Sequence, residues 1–423
     1  MSARLFDRLI GGIVRRGQLT VHHADGRTAR FGRTEDGFPD ITVRMADSKA
    51  ARDILLDPRI GAGETFMDGR LMIEQGDVMQ LIGLLRANAP WERAGRIRSP
   101  SPLRKAKGRI TGALESINRA RSARRNVAHH YDIGNDLYRL MLDEKHMQYS
   151  CAYWPSPDLT LAEAQEAKLA HIAAKLALAP DGCGGQHVLD IGCGWGGMAI
   201  YLARHFDQLR VTGITLSREQ IALARARAAE AGVDDRVTFE LVDYRELAAR
   251  GQSFDRIVSV GMFEHVGRPQ FGTFFRACAN LLASDGVMLL HTIGRFGGPG
   301  STDAFTRKYI FPGGYIPALS ETLAASEKAR LIHTDIETLR LHYALTLRAW
   351  YQRITANRAQ VIAMFDERFY RMWTFYLAGA TAAFEHGGMG NYQIQFVRDR
   401  RALPLTRDYI ADAETDLRAQ SSG

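Results

Sequence analysis

Three places in the 423-residue chain combine residue types and spacing that can do chemistry. The first is Asp190-Ile191-Gly192-Cys193-Gly194-Trp195-Gly196, directly after the apolar run Val188-Leu189. Glycines at 192, 194 and 196 let the backbone turn sharply and approach a ligand closely. The spacing Asp-x-Gly-x-Gly-x-Gly is not that of a dinucleotide-binding loop. The second is Glu264, within Gly261-Met262-Phe263-Glu264-His265-Val266-Gly267, at the carboxyl end of a predicted strand. Open α/β sheets bind ligands there, and a carboxylate so placed can accept or relay a proton. The third is His291, near the end of the next predicted strand. Thr215 and Gln220 offer neutral hydrogen bonds after another strand, and Asp243 with Tyr244 follow a fourth.

These residues need a scaffold, and the apolar pattern supplies one. His187–Ile191, Leu209–Thr215, Arg236–Val242, Phe254–Val260 and Gly286–Ile293 read as strands. Helical patterns at 196–205, 218–231 and 269–282 lie between them. Alternating β and α elements predict a parallel sheet covered on both faces, an α/β fold. Residues 295–330, rich in Gly, Pro and aromatics, read as a lid or insertion. Further helices are expected at about 320–332, 343–358 and 361–385, and a closing strand at Asn391–Arg398. Ahead of this region lies a smaller α/β unit. Its expected strands are Thr20–His23, Thr28–Phe31 and Asp40–Met45, and its expected helices are Ser48–Leu56 and Asp77–Leu85. An amphipathic helix over residues 2–16 places Leu5, Phe6, Leu9, Ile10, Ile13 and Val14 on one face.

Composition narrows the function class. Hydrophobic residues make up 46% and charged residues 24% of the chain, as in ordinary globular proteins. No apolar run is long enough for a transmembrane helix, and residues 1–20 lack a hydrophobic signal core. Cysteines at 151, 183, 193 and 278 show no zinc spacing and read as free thiols of a reducing compartment, so no metal site is expected. The net charge is +8, but it is concentrated. Residues 86–125 carry twelve Lys/Arg against Glu92 and Glu115, a net +10 that leaves −2 for the rest. Pro90, Ser99, Pro100, Ser101 and Pro102 mark this strip as a linker, with a helix possible from Leu103 to Arg125. One cationic strip suits an anionic surface better than a nucleic acid that must be wrapped. No base-methylation motif of the Asn-Pro-Pro-Tyr type is present either.

The glycine loop resembles the first motif of class I S-adenosylmethionine-dependent methyltransferases. Six further segments resemble one subfamily, the cyclopropane-fatty-acid-phospholipid synthases and their mycolic-acid relatives. They are His129–Tyr138, Gln148–Trp154, Gly261–Gly267, His291–Gly294, Phe311–Pro317 and His342-Tyr343. The match runs from about residue 126 to 400, with a fainter one at Asp57–Gly69. It implies a Rossmann-like methyltransferase sheet with a helical lid insertion over 123–423, behind a lipid-engaging domain at 1–87 and the linker at 88–122. It also implies S-adenosylmethionine as cofactor, held by Tyr149, Ser150, Asp190, Gly192, Gly194, Gly196, Thr215, Gln220, Asp243 and Tyr244. One departure is plain: many such enzymes end the second strand with an acid for the ribose, whereas this one has Thr215-Leu216-Ser217.

For such a family the substrate is an unactivated alkene in a phospholipid acyl chain. Methyl transfer leaves a carbocation, and loss of a proton from the new methyl closes a three-membered ring. The resemblance implies a bound bicarbonate as base, with Cys151, Glu264, His291, Ile293 and Tyr343 as its ligands and His130 and Tyr138 lining the pocket. Backbone N–H groups, a His and a Tyr hydroxyl can all donate to an oxyanion. A product with a methyl branch, a methylene group or a furan precursor differs only in where the cation loses its proton. The family further implies a homodimer in the cytoplasm, peripheral to the inner face of the membrane. The basic strip can meet anionic headgroups there, and the 2–16 helix can either insert its apolar face or pack on its own domain.

Overall fold

A computed structural model describes residues 2–58, 60–93, 134–178 and 185–421. His130, Cys183 and the linker beyond residue 93, including the expected Leu103–Arg125 helix, lie outside the described residues.

Alternating burial builds the first sheet. Strands β1 (Gly17–His22), β2 (Thr28–Arg33), β3 (Asp40–Met45) and β4 (Leu71–Gln75) assemble in the order β2-β1-β3-β4. The outer pairs are antiparallel and the β1–β3 pair is parallel. Leu19, Val21, Ile41, Val43 and Met45 point from these strands into one core. Phe6, Ile10 and Val14 enter the same core from the N-terminal helix Ser2–Ile13 and the residue after it, and Ala50, Ala51 and Ile54 enter it from helix Ser48–Leu56. Leu5 is 47% exposed. The amphipathic face of residues 2–16 is thus divided, its Phe6–Ile10 side packed inside its own unit.

This compact unit comprises more than residues 1–87. It includes Met1–Ala113, Ser301–Pro312 and Ala344–Met389. Within it, helix Glu367–Glu385 packs on helices Val78–Ala87 and Gly61–Met67. Phe375 meets Phe66 and Phe305, with ring centroids 5.9 and 4.9 Å away. Glu64 accepts bonds of 2.6 Å from Lys308 Nζ and from the Tyr309 hydroxyl.

The second unit comprises Leu114–Gly300, Gly313–Tyr343 and Gly390–Gly423. Its strands are β5 (His187–Ile191), β6 (Arg210–Thr215), β7 (Val237–Leu241), β8 (Phe254–Val260), β9 (Leu282–Arg295), β10 (Ile332–Leu339) and β11 (Met389–Val397). They form one sheet ordered β10-β11-β9-β8-β5-β6-β7. Every pairing from β9 through β7 is parallel, and β10 runs antiparallel to β11. Each expected strand of the sheet is present within a few residues, and β10 is an addition. The 295–330 insertion carries helices Ala304–Tyr309 and Leu319–Glu327, and its residues 301–312 belong to the first unit. Apolar clusters cover both faces of the sheet, one around Leu202, Val211 and Phe239 and the other around Phe263, Phe274 and Phe275. Crossover helices on both sides of parallel strands require this double burial.

The divided N-terminal helix yields a prediction. Ile10→Ala should cost about 2–5 kcal/mol in urea unfolding, because it removes methylenes from a packed core. Leu5→Ser should stay within about 0.5 kcal/mol. Equal effects would mean that the helix does not use Ile10 as core.

Candidate active site

The carboxyl ends of β5, β6, β7 and β8 surround one hollow. Asp190, Gly192 and Gly194 line it after β5, Thr215 and Gln220 after β6, Asp243, Tyr244 and Arg245 after β7, and Met262 and His265 after β8. Met147–Ser150 and Trp195 complete the wall, and the volume, counted with the open solvent at its mouth, is about 1130 Å³. Gly192 has φ +86°, and a Cβ there would stand 2.7 Å from Met262 Cβ. Gly196 does not line the hollow. At φ +80°, it lets helix Gly197–His205 start against Phe239, whose Cζ would lie 2.6 Å from an added Cβ.

The polar groups of the hollow are already organised. Thr215 Oγ1 donates to Gln220 Oε1 at 2.8 Å, which makes the two a neutral pair where an acid was absent from the sequence. Asp243 takes both arms of Arg245, each at 2.7 Å, and the guanidinium lies 5.0 Å over the Tyr244 ring. Burial pushes the Asp190 carboxyl up to about 7, and its Oδ2 is buried with no hydrogen-bond partner. Tyr138 is wholly buried, its ring 5.1 Å from Tyr149 and 5.0 Å from Trp195.

Among the described residues, those expected to carry catalysis do not line this hollow, although Glu264 sits between two that do. Glu264 lies on a single 3₁₀ turn after β8. The β8–β9 register pairs Val260 with His291, which brings the ends of both strands together. Ile293 N–H donates to Glu264 Oε1 at 2.6 Å, and Glu264 Oε2 is buried without a partner. Burial pushes the Glu264 carboxyl up to about 7, against the Ile293 bond that lowers it. His291 is bonded through both ring nitrogens to β11 amides, Nε2 with Asn391 at 2.7 Å and Nδ1 with Gln393 at 3.2 Å. A neutral imidazole has one donor and one acceptor, so one amide must present its oxygen. Gln393 Oε1, buried without a partner, is the group that such a turn satisfies. Burial holds His291 well below the usual imidazole range, hence neutral. Cys151 is buried, its Sγ donating to the Ala152 carbonyl at 3.3 Å, and burial pushes its thiol far up, away from a reactive thiolate. Tyr343 is buried at the start of helix His342–Ala356.

Comparison with known proteins now decides the family. The model described as mycolic acid cyclopropane synthetase matches residues 118–394. The chain belongs to this family. It is 38% identical over 370 residues to a cyclopropane-fatty-acyl-phospholipid synthase of Escherichia coli (strain K12), spanning 88% of this chain and 91% of that one. It is 33% identical over 420 residues to a tuberculostearic acid methyltransferase of Mycobacterium tuberculosis, spanning 94% and 92%. The solved structure of the mycolic acid cyclopropane synthase CmaA1, complexed with SAH and CTAB, superposes with TM-score 0.60 at 34% identity, covering 64% of this chain and 97% of that one.

As a member of this family the chain is an S-adenosylmethionine-dependent methyltransferase. Its hollow fits that cofactor. The open backbone at Gly192 admits a close approach, Asp190 Oδ2 awaits a donor such as an ammonium, and the Thr215–Gln220 pair and Asp243 offer oxygens to hydroxyls and an amine. Bound there, the cofactor supplies an electrophilic methyl group.

Sequence reasoning missed several parts of this site. Trp195 and Arg245 lay beside chosen residues, and their positions inside the glycine loop and two residues after Asp243 were the available signals. Asn391 and Gln393 lay in a strand read only as closing the sheet. Lys168, fully buried behind the hollow, lies in helix Leu161–Lys175, which no apolar period announced.

The raised Glu264 carboxyl makes stability depend on pH with a definite sign. The folded state holds this proton more tightly than the unfolded chain, whose ordinary value is 4.5. That contribution is fully present below the unfolded pKa and is lost as pH rises through about 7. Glu264→Gln removes it, so from about pH 5 to 7 the variant's melting temperature should fall less steeply than the wild type's. Parallel curves would show that Glu264 is ionised throughout.

Proposed function

We propose that the protein transfers the methyl carbon of S-adenosylmethionine to the double bond of an unsaturated acyl chain of a membrane phospholipid and closes a cyclopropane ring. The observation that carries this reading is the buried Glu264 carboxyl, bonded to Ile293 N–H beside the cofactor hollow. Attack of the alkene on the methyl group leaves a cation on the acyl chain. The pocket must then stay dry and take one proton from the new methyl.

The base in this reading is a bicarbonate held near Glu264, the Ile293 N–H, the Cys151 backbone N–H and the Tyr343 hydroxyl. It would supply an oxyanion that is basic at neutral pH. Ile293 and Glu264 support the assignment, because an N–H fixed at a strand end and a carboxyl poised near 7 meet at one point. His291 joins the set only by giving up one of its two amide bonds. Glu264 orients the anion or relays its proton. Tyr138 belongs to the surrounding pocket, and His130, expected there as well, lies outside the described residues.

Among the described residues no helix is long and apolar enough to cross a membrane. In this reading the acyl chain is drawn from the bilayer by a peripherally bound enzyme. The strip at 86–125 would dock on anionic headgroups, at about 1 kcal/mol for each Lys/Arg near the surface. A cytoplasmic homodimer on the inner face of the membrane completes the proposal. A second reading has specific support in the match to a tuberculostearic acid methyltransferase. It shares the methyl transfer and ends in a branched chain.

The deciding experiment feeds expressing cells a trideuterated methyl donor and analyses membrane lipids by mass spectrometry. Ring closure leaves two deuteriums and no double bond at that position. A methylene product leaves two deuteriums and a double bond, and a methyl branch formed by proton loss from a chain carbon leaves three deuteriums and a double bond. Unlabelled acyl chains in the presence of folded protein would sink both readings. Glu264→Gln should lower turnover by about 10²–10⁴-fold, the usual weight of general acid–base groups, with cofactor affinity unchanged by calorimetry. Loss of affinity to the same degree would refute its role. Changing Arg104, Lys105, Lys107 and Arg109 together to Glu should weaken binding to anionic vesicles at low salt. Unchanged binding would reduce the strip to a linker.

A further inference from the structure

Helix Leu161–Lys175 is buried on nearly every side, and Gln165, Lys168, His171 and Lys175 form a polar stripe along it. Two of its cationic residues are matched by acids. Lys175 Nζ meets Asp335 and Glu337, and His171 lies between Glu337 and Glu414. Lys168 is different. Its Nζ donates to two neutral oxygens, Gln148 Oε1 and Ser150 Oγ, the latter at 3.1 Å. Among the described residues no carboxylate lies within ion-pair distance of it. Gln148 and Ser150 both line the cofactor hollow. An amine with no carboxylate in ion-pair contact is therefore buried directly behind the wall of a site that takes a sulfonium cation.

The titratable groups facing Lys168 are few. Asp143 stands before the wall loop, its carboxylate occupied by the N–H groups of His146, Met147 and Gln148. The Cys151 thiol, Asp190 at the end of β5 and His291 on β9 also face it. Cys151 and His291 are held neutral by burial. Asp190 is the one group here that also lines the hollow.

We propose that Lys168 is a positioning residue that also tunes the charge of the site. It holds the Gln148–Ser150 wall through its two hydrogen bonds, and its charge sets the hollow's preference between the cationic sulfonium cofactor and the neutral thioether product. A neutral amine still donates both bonds, so the wall survives loss of the proton while the repulsion disappears. Burial pushes Lys168 down to about 7, which puts that loss near neutral pH. Protonation of Lys168 and sulfonium binding then oppose each other, and by linkage each weakens the other by one shared factor. The thioether carries no charge and escapes the penalty.

The test is calorimetric titration of the full chain with S-adenosylmethionine and S-adenosylhomocysteine at pH 6, 7 and 8. The affinity ratio, cation over neutral, should rise by at least about fivefold across that range, the lower end of usual coupling between sites. Asp190 ionises in the same direction, so variants must separate the two. Lys168→Met should weaken both ligands through the wall, raise the ratio at pH 6 and lose most of its pH dependence. Asp190→Asn should keep a pH-dependent ratio. A flat wild-type ratio, a wild-type slope in Lys168→Met, or a slope abolished by Asp190→Asn would each overturn the assignment, since a merely structural lysine moves both affinities alike. Should Lys168→Met fail to fold, Gln148→Leu removes one acceptor of the ammonium and must shift the ratio's midpoint to lower pH, and an unmoved midpoint overturns the proposal. The inference rests on the cofactor reading, and the failures differ: no binding of either compound sinks that reading, whereas binding with a pH-independent ratio sinks only the role of Lys168.

Discussion

A buried polar side chain must find its partners inside the protein or cost several kcal/mol. The stripe on helix Leu161–Lys175 imposes that requirement on much of the second unit. At its N-terminal end Gln165 Nε2 donates to the Ser150 carbonyl at 3.0 Å and to that of Gln148 at 3.3 Å, and Lys168 takes the side chains of the same two residues. At its C-terminal end His171 and Lys175 take Asp335 and Glu337 from β10 and Glu414 from helix Asp408–Ser421. One helix thus ties the cofactor wall to the far edge of the sheet. Losing a partner leaves buried polar groups short of a bond, which favours a single arrangement.

Around the hollow, burial drives Asp190, Glu264, His265 and His291 toward their uncharged forms. Asp190 and Glu264 are raised to about 7, His265 is lowered to about 4, and His291 is held well below the usual imidazole range. This suits the proposed reaction, whose charge arrives on the cofactor and passes to an acyl chain. In a water-poor site a fixed charge acts strongly over distance. A wall of ionised groups would bind the starting sulfonium, the intermediate cation and the water that must be excluded with little discrimination. Groups poised near neutrality can instead respond to the ligand's charge.

The parts of the site that sequence revealed are those where backbone geometry dictates residue type. Gly192 and Gly196 stand at positive φ against Met262 and Phe239, and the short apolar runs that became β5, β6, β8 and β9 needed no polar face. Local pattern failed where burial and polarity were uncoupled. Helix Leu161–Lys175 is buried all round, so it shows no amphipathic period. In β10, Asp335 and Glu337 answer a buried lysine, a pairing that no local pattern signals. Residues 301–312 and 344–389 join the N-terminal residues in one unit through contacts such as Phe66–Phe375 and Lys308–Glu64. No window of sequence records a pairing across 244 residues.

The fixed element of the proposed catalytic cluster is a backbone group. Ile293 N–H is aimed by the register of β9 beside β8 and cannot titrate or change rotamer. Side chains around it can adjust: Glu264 has one oxygen on that N–H and one unpartnered, and His291 is clamped by two amides of β11. An anion entering this point would have to take the N–H from Glu264, and the displaced carboxyl, already near 7, can accept a proton or lend one without a large penalty. A sheet-anchored donor paired with a carboxyl at the edge of ionisation would therefore give the proposed base a place that is stable in position and adjustable in charge.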